Sequence, residues 1–105
     1  MAATRTRGSG RQNSGPDRDR RGSPTDRRVR RMWLASVGSG FGGDGRKVPC
    51  FYCGRVLQIQ HPEQVDYIQV DRIVPGESYR RTNIRPACWS CNTARGSNTD
   101  WTYVP

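Results

Sequence analysis

Four cysteines, Cys50, Cys53, Cys88 and Cys91, occur as two CxxC pairs separated by 34 residues. This spacing constrains the chain more than any other feature. A CxxC is a tight turn that presents two thiolates, and Gly54 relieves the first one. Two such turns supply four thiolates, which close a tetrahedral shell around zinc and leave no open position for chemistry. The expected zinc is therefore structural. A redox dithiol is the alternative for a single pair, and the second pair disfavours it. Residues 1–31 lack the apolar stretch of a secretory signal. That predicts a cytoplasmic, reducing compartment, where thiols bind metal rather than pair with one another. The need for the metal is energetic. A core of about 60 residues is marginal alone, and structural zinc supplies roughly 10–16 kcal/mol.

The 105 residues allow one small domain plus a tail, and only 32% of them are hydrophobic. No apolar run approaches the roughly 20 residues of a membrane helix. Lys and Arg total 18 against 9 Asp and Glu, a formal charge of +9. All of these cations are arginine except Lys47. Such a balance favours a polyanionic partner, nucleic acid first. A solubilising surface, an acidic protein or a lipid headgroup are the alternatives.

The chain divides into three stretches. Residues 1–22 read as a disordered basic arm, too poor in apolar side chains to offset its ordering entropy. Residues 23–45 read as a supporting helix and a flexible glycine-rich loop. The helix begins at Ser23 or Thr25, with Ser23 and Asp26 as a capping box, and stops at Gly38. Val29, Met32, Trp33, Ser36 and Val37 follow a helical period and predict its packing face. The loop lacks the strand and helix that flank a phosphate-cradling glycine loop, so no nucleotide or other small-molecule cofactor is expected. Residues 46–105 read as the zinc-pinned domain. Val56–Gln60 and Val65–Asp71 alternate as strands that pair in a hairpin around His61, and a helix of about two turns runs from Ala87 to Arg95. Trp101 and Tyr103 are expected to cap the core. The fold class is small α+β.

The stretch between the cysteine pairs runs Val70-Asp71-Arg72-Ile73-Val74-Pro75-Gly76, then Asn83-Ile84-Arg85-Pro86-Ala87-Cys88, then Cys91-Asn92-Thr93-Ala94-Arg95-Gly96. Over residues 46–97 it resembles the HNH endonucleases, the ββα-metal nuclease family, in the zinc form with two CxxC pairs. It is particularly similar to the small HNH proteins of bacteriophages that infect high-GC actinobacteria. The resemblance implies a ββα-metal finger in which Asp71 is a ligand of a catalytic divalent cation. It makes Asn83 the residue that fixes the loop and orients the base, and Asn92 the second metal ligand. Arg72 stands where the family has its general-base histidine. The resemblance also implies DNA as substrate, the host cytoplasm as location, and a role near phage genome packaging with the terminase as partner.

The residue chemistry agrees with part of this. Magnesium or manganese would accept one carboxylate and one amide oxygen, Asp71 and Asn92, and stabilise charge on a phosphodiester. Bland readings stay open: Asp71 paired with Arg72 or Arg85, Asn83 as a turn residue, and Asn92 as a solvated helix residue. Arg72 cannot take a proton at ordinary pH, but it can bind a phosphate. In the expected hairpin His61 lies some 15 Å from Asp71, leaving Glu77, Tyr79 or a metal-bound hydroxide to handle water. Arg80, Arg81, Arg85 and Arg95 are candidate phosphate contacts. The expected function is a metal-dependent DNA endonuclease, nicking or cutting both strands. The alternative is a non-catalytic, zinc-stabilised DNA-binding module. A third reading is a protein-interaction zinc domain.

Overall fold

The computed structural model describes residues 22–105. The expected arm lies outside the described residues except for Gly22. The elements in chain order are α1 (Pro24–Ala35), a 3₁₀ turn (Val37–Ser39), β1 (Lys47–Pro49), β2 (Val56–Gln58) and β3 (Gln69–Arg72). A second 3₁₀ turn (Arg81–Asn83), β4 (Ile84–Ala87) and α2 (Trp89–Arg95) follow. Among the described residues this is a small α+β architecture with two antiparallel two-stranded sheets. No helix among the described residues is long and apolar enough to cross a membrane.

α1 starts as its sequence dictates. Ser23 Oγ accepts from the Asp26 amide at 3.1 Å, and Asp26 accepts from the Ser23 amide at 3.0 Å. Pro24 occupies the first turn, where its missing N–H has no partner to lose. The end differs from expectation. The helix stops at Ala35 because Ser36 turns extended, and its amide and hydroxyl both bond Trp33 O. The expected packing face also differs. Val29, Met32 and Val37 are 48%, 49% and 76% exposed, whereas Leu34 and Ala35 are fully buried. The inward side is Trp33, which the expected face included, with Leu34 and Ala35, and with Arg30 and Arg31 half-buried before them. Arginine stems supply its first half, with their charged heads directed over aromatic rings.

The loop after α1 is pinned rather than loose. The Gly45 amide donates to Ala35 O at 2.7 Å, and Asp44 Oδ1 accepts from the amides of Arg46 and Lys47. A Cβ on Gly43 would sit 2.1 Å from Ala35 O, so only glycine fits there.

The strand pairing corrects the expected hairpin. β2 does not pair with residues 65–71 as an antiparallel strand. It pairs with β1, a strand the sequence reading missed, with Val48 opposite Leu57. The two arms of this hairpin flank the first CxxC turn. β3 pairs instead with β4, placing Asp71 opposite Arg85 and Arg72 opposite Ile84. A single parallel bridge, Gln58 to Tyr67, joins the two sheets. Pro86 sits within β4, which a two-stranded sheet tolerates because one edge needs no donor. The ββα unit is thus β3, β4 and α2.

The core gathers Leu34, Ala35, Val48, Leu57, Ile68, Ile84 and Ala87 around Cys50, Cys88 and Cys91. Trp101 packs on its edge with its ring centroid 5.2 Å from that of Tyr52, while Tyr103 is 43% exposed and does not cap it.

Candidate functional site

Cys50 ends the β1 arm and Cys53 closes the turn before β2. Cys88 is the N-cap of α2, and Cys91 lies in its first turn. Their four sulfurs lie within 4.8 Å of one another, and Cys53 Sγ is 3.9 Å from Cys88 Sγ. Tetrahedral zinc at about 2.3 Å from each sulfur sets sulfur–sulfur edges of about 3.8 Å, so the cluster fits that ion. Backbone amides already point at the sulfurs. Those of Tyr52 and Cys88 donate to Cys50 at 3.4 and 3.3 Å, and that of Cys91 donates to Cys88 at 3.3 Å. Burial raises the Cys50 thiol, but these amide donors and that of Cys53 outweigh it and leave its pKa lowered. Burial pushes the Cys53 and Cys91 thiols up. A metal that holds all four as thiolates resolves this conflict.

The loop after β3 is fixed by Asn83. Its Oδ1 accepts from the Val74 amide at 2.9 Å, and its Nδ2 donates to Val74 O and Ser78 O at 3.2 and 2.9 Å. A buried amide with these partners sets the loop that leads from the end of β3 at Arg72 past Glu77 to Tyr79. Arg72 donates to Glu77 O at 2.9 Å and lies 4.8 Å from the Tyr79 ring centroid.

Asp71 sits at the centre of a charged cluster. It is 2% exposed. Oδ1 accepts from Arg95 Nη1 at 2.7 Å, and Oδ2 accepts from Arg85 Nε at 3.1 Å and from the Tyr52 hydroxyl at 2.5 Å. Tyr52 comes from the first CxxC turn, Arg85 from β4 and Arg95 from the end of α2. Burial and then the bond to Asp71 push the Tyr52 hydroxyl up to about 12. The carboxylate therefore joins the knuckle, the second sheet and the last helix.

This arrangement tests the divalent cation that the family resemblance implies. A cation on Asp71 would face two guanidiniums already within hydrogen-bond distance of both oxygens. Like charges at such separations repel strongly where solvent is excluded. Asp71, as held here, does not fit that ion. Asn92 is half-buried on α2, one turn before Arg95.

The four arginines proposed as phosphate contacts separate. Arg80 is exposed and paired with Glu77 at 3.0 Å. Arg81 is exposed and stacks 4.3 Å over Trp33. Arg85 lies between Asp71 and the rings of Phe51 and Tyr52. Arg95 is 3% exposed and donates inward to Asp71, Arg72 O, Ile73 O and Asn98 O. His61 is exposed beside Glu63, and the hairpin that set its distance from Asp71 is not formed.

Sequence reasoning missed Tyr52 and the arginines of α1. Tyr52 is one of the two residues inside CxxC, where only the cysteines carry a signal. The α1 arginines were signalled by their helical period, but a hydropathy reading scores arginine as polar and passes over its stem.

No curated protein and no solved structure matches the chain. A family model described as HNH endonuclease does match, over residues 50–98. That span opens at the first zinc-site cysteine, takes in the whole β3–β4–α2 unit and closes just past Arg95. Residues 50–98 of this chain are thus similar to the HNH endonuclease family, and the four cysteines within that span fit a zinc site.

Proposed function

We propose that the chain is a DNA-binding HNH module in which structural zinc supports the fold and Asp71 serves as a buried counter-ion. The observation that carries this reading is the Asp71 carboxylate, 2% exposed and bonded by both Arg85 and Arg95. A carboxylate so neutralised has little charge left to attract a dication. Arg72, at the place of the family's base, cannot accept a proton but can contact a phosphate. The surface arginines and the net charge of +9 suit a polyanion. Binding of this kind is tolerant of sequence, because phosphate contacts position a duplex without reading bases.

The endonuclease reading has its own support. The family match spans Asp71, Asn83 and Asn92 together. It requires Arg85 and Arg95 to yield Asp71 to magnesium or manganese when DNA is bound. Nothing among the described residues bears on the terminase partnership that the phage resemblance implies.

Zinc-loaded protein mixed with supercoiled plasmid and with a labelled duplex separates the two readings. The binding reading expects salt-sensitive association with no nicking in magnesium, manganese or EDTA. Nicking in manganese that EDTA stops, and that Asp71→Asn abolishes while DNA binding persists, would establish the nuclease.

A further inference from the structure

Between the tail that follows α2 and the first cysteine turn lies a groove of about 390 Å³ with no role described so far. Phe51, Tyr52, Trp101 and Tyr103 line it together with Arg85. Phe51 and Tyr103 are 50% and 43% exposed, so two large rings meet solvent side by side with a cation.

The rings are fixed but not stacked on one another. Phe51 and Trp101 meet Tyr52 at interplanar angles of 88° and 74°, with centroids 5.3 and 5.2 Å away. Such T-shaped contacts hold the rings without pressing them face to face. Arg85 covers Phe51 and Tyr52, at 4.4 and 5.0 Å from their centroids. Among the described residues no ring or guanidinium stacks on Tyr103.

Arg85 has an inner and an outer edge. Its Nε donates inward to Asp71 at 3.1 Å. Neither Nη has an acceptor among the described residues, and neither is sealed from solvent. A guanidinium held at one edge presents the other in a fixed plane, which suits a phosphate. Residues 1–21 of the chain do not supply a filler for the groove. They hold no aromatic residue and, beyond Met1, no large apolar one, and their six arginines against two aspartates repeat the sign of Arg85.

We infer that this groove receives an unpaired base of a DNA strand, stacked against Tyr103 and Phe51, with Arg85 on the adjoining phosphate. The inference rests on the DNA-binding reading and deepens it by naming single-stranded DNA as the ligand. The state of the base faces decides this. A duplex hides them within its own stack, whereas an unpaired base offers its face to any aromatic ring, whatever the base. Thr99 and Thr102, exposed beside the rings, can donate or accept, so they leave the base edge unspecified.

The test measures the anisotropy of a labelled oligothymidylate and of a labelled duplex with the zinc-loaded full chain at low salt. Phe51→Leu combined with Tyr103→Leu keeps apolar bulk and removes both ring faces. It should lose roughly tenfold or more on the single strand and much less on the duplex. Trp89→Leu removes a ring that is 59% exposed but outside the groove, and should change neither. Zinc content establishes that each variant is folded. If the double variant does not fold, wild type answers alone. Photo-cross-linking to an oligonucleotide that carries 5-iododeoxyuridine joins the base to a ring it stacks on, and should map to Phe51, Trp101 or Tyr103. Equal losses on the two ligands, no loss on the single strand, or cross-links confined to other residues would overturn the groove while leaving DNA binding intact. A changed sedimentation state of the double variant, with its single-strand affinity kept, would give the groove to a second copy of the chain and also refute the proposal. Wild type that binds neither DNA at low salt would overturn the underlying reading itself.

Discussion

Arg95 Nη1 stands 2.7 Å from Asp71 Oδ1, with the two side chains 1% and 3% exposed. The pair fastens the end of α2 to the end of β3, and Arg95 extends the hold to the carbonyls of Arg72 and Ile73. Removing one partner of a buried pair leaves an uncompensated charge and costs about 3–5 kcal/mol. Asp71→Ala strands two guanidiniums at once. Denaturant unfolding of the zinc-loaded protein should therefore show a loss of at least that size. A stability equal to wild type would mean that Asp71 is not the counter-ion described here.

Zinc removal should unfold the chain. About one zinc per chain is expected, and Cys88→Ser should abolish both the metal and the fold, since structural zinc supplies roughly 10–16 kcal/mol. Elemental analysis with far-ultraviolet circular dichroism before and after chelation reads both quantities. A folded, metal-free preparation would refute the site.

Tyr52 gives a pH dependence with a defined sign. The fold holds its hydroxyl neutral, with a pKa pushed up to about 12 from the ordinary 10.0. The unfolded chain releases that proton near the ordinary value. The stabilisation is therefore complete below about pH 10 and drains away as pH rises toward 12. Tyr52→Phe should be less stable than wild type at neutral pH yet lose less between those limits. Unfolding curves at neutral and alkaline pH, together with absorbance titration of the tyrosines, measure it. Parallel pH profiles for the two proteins would contradict the assignment.

Asn83→Ala should loosen the loop from Ile73 to Ser78 without dismantling the zinc site. Three hydrogen bonds are lost, and two of the groups left behind are backbone atoms of Val74. The expected cost is about 2–3 kcal/mol. Hydrogen exchange should speed up at the Val74 amide while the amides at Cys88 and Cys91 stay protected. Uniform acceleration would instead signal global destabilisation.

Legibility in the sequence followed the strength of the local chemistry. The cysteine cluster, the Ser23–Asp26 box and α2 with Gly96 at its end were readable because each is decided within a few residues. Strand partners were not. Val56–Gln60 and Val65–Asp71 alternate well enough to suggest a hairpin, but pairing is a non-local choice. The turn of Cys50–Cys53 brings Lys47–Pro49 against β2 first, and Pro49 hid that strand. Asp71 was identified as the residue that matters, and its partner Arg85 was weighed. Arg95 reads as a surface contact, since nothing in a charged helix end reveals that it turns inward. The inward face of α1 is only partly legible because Arg30 and Arg31, half-buried, pack by their stems beside the expected Trp33.

The seam between α1 and the glycine-rich loop has a consequence for how the protein is cut. Leu34 and Ala35 lie in the same cluster as Ile84 and Cys88, and Ala35 O anchors Gly45. A fragment trimmed to the matched span of residues 50–98 would keep every cysteine, yet it would bare the apolar wall that α1 covers. Such a fragment would bind its metal and then stick to itself. Excision at the edges of sequence similarity is the wrong dissection for this protein, and a usable minimal piece begins upstream of Ser23.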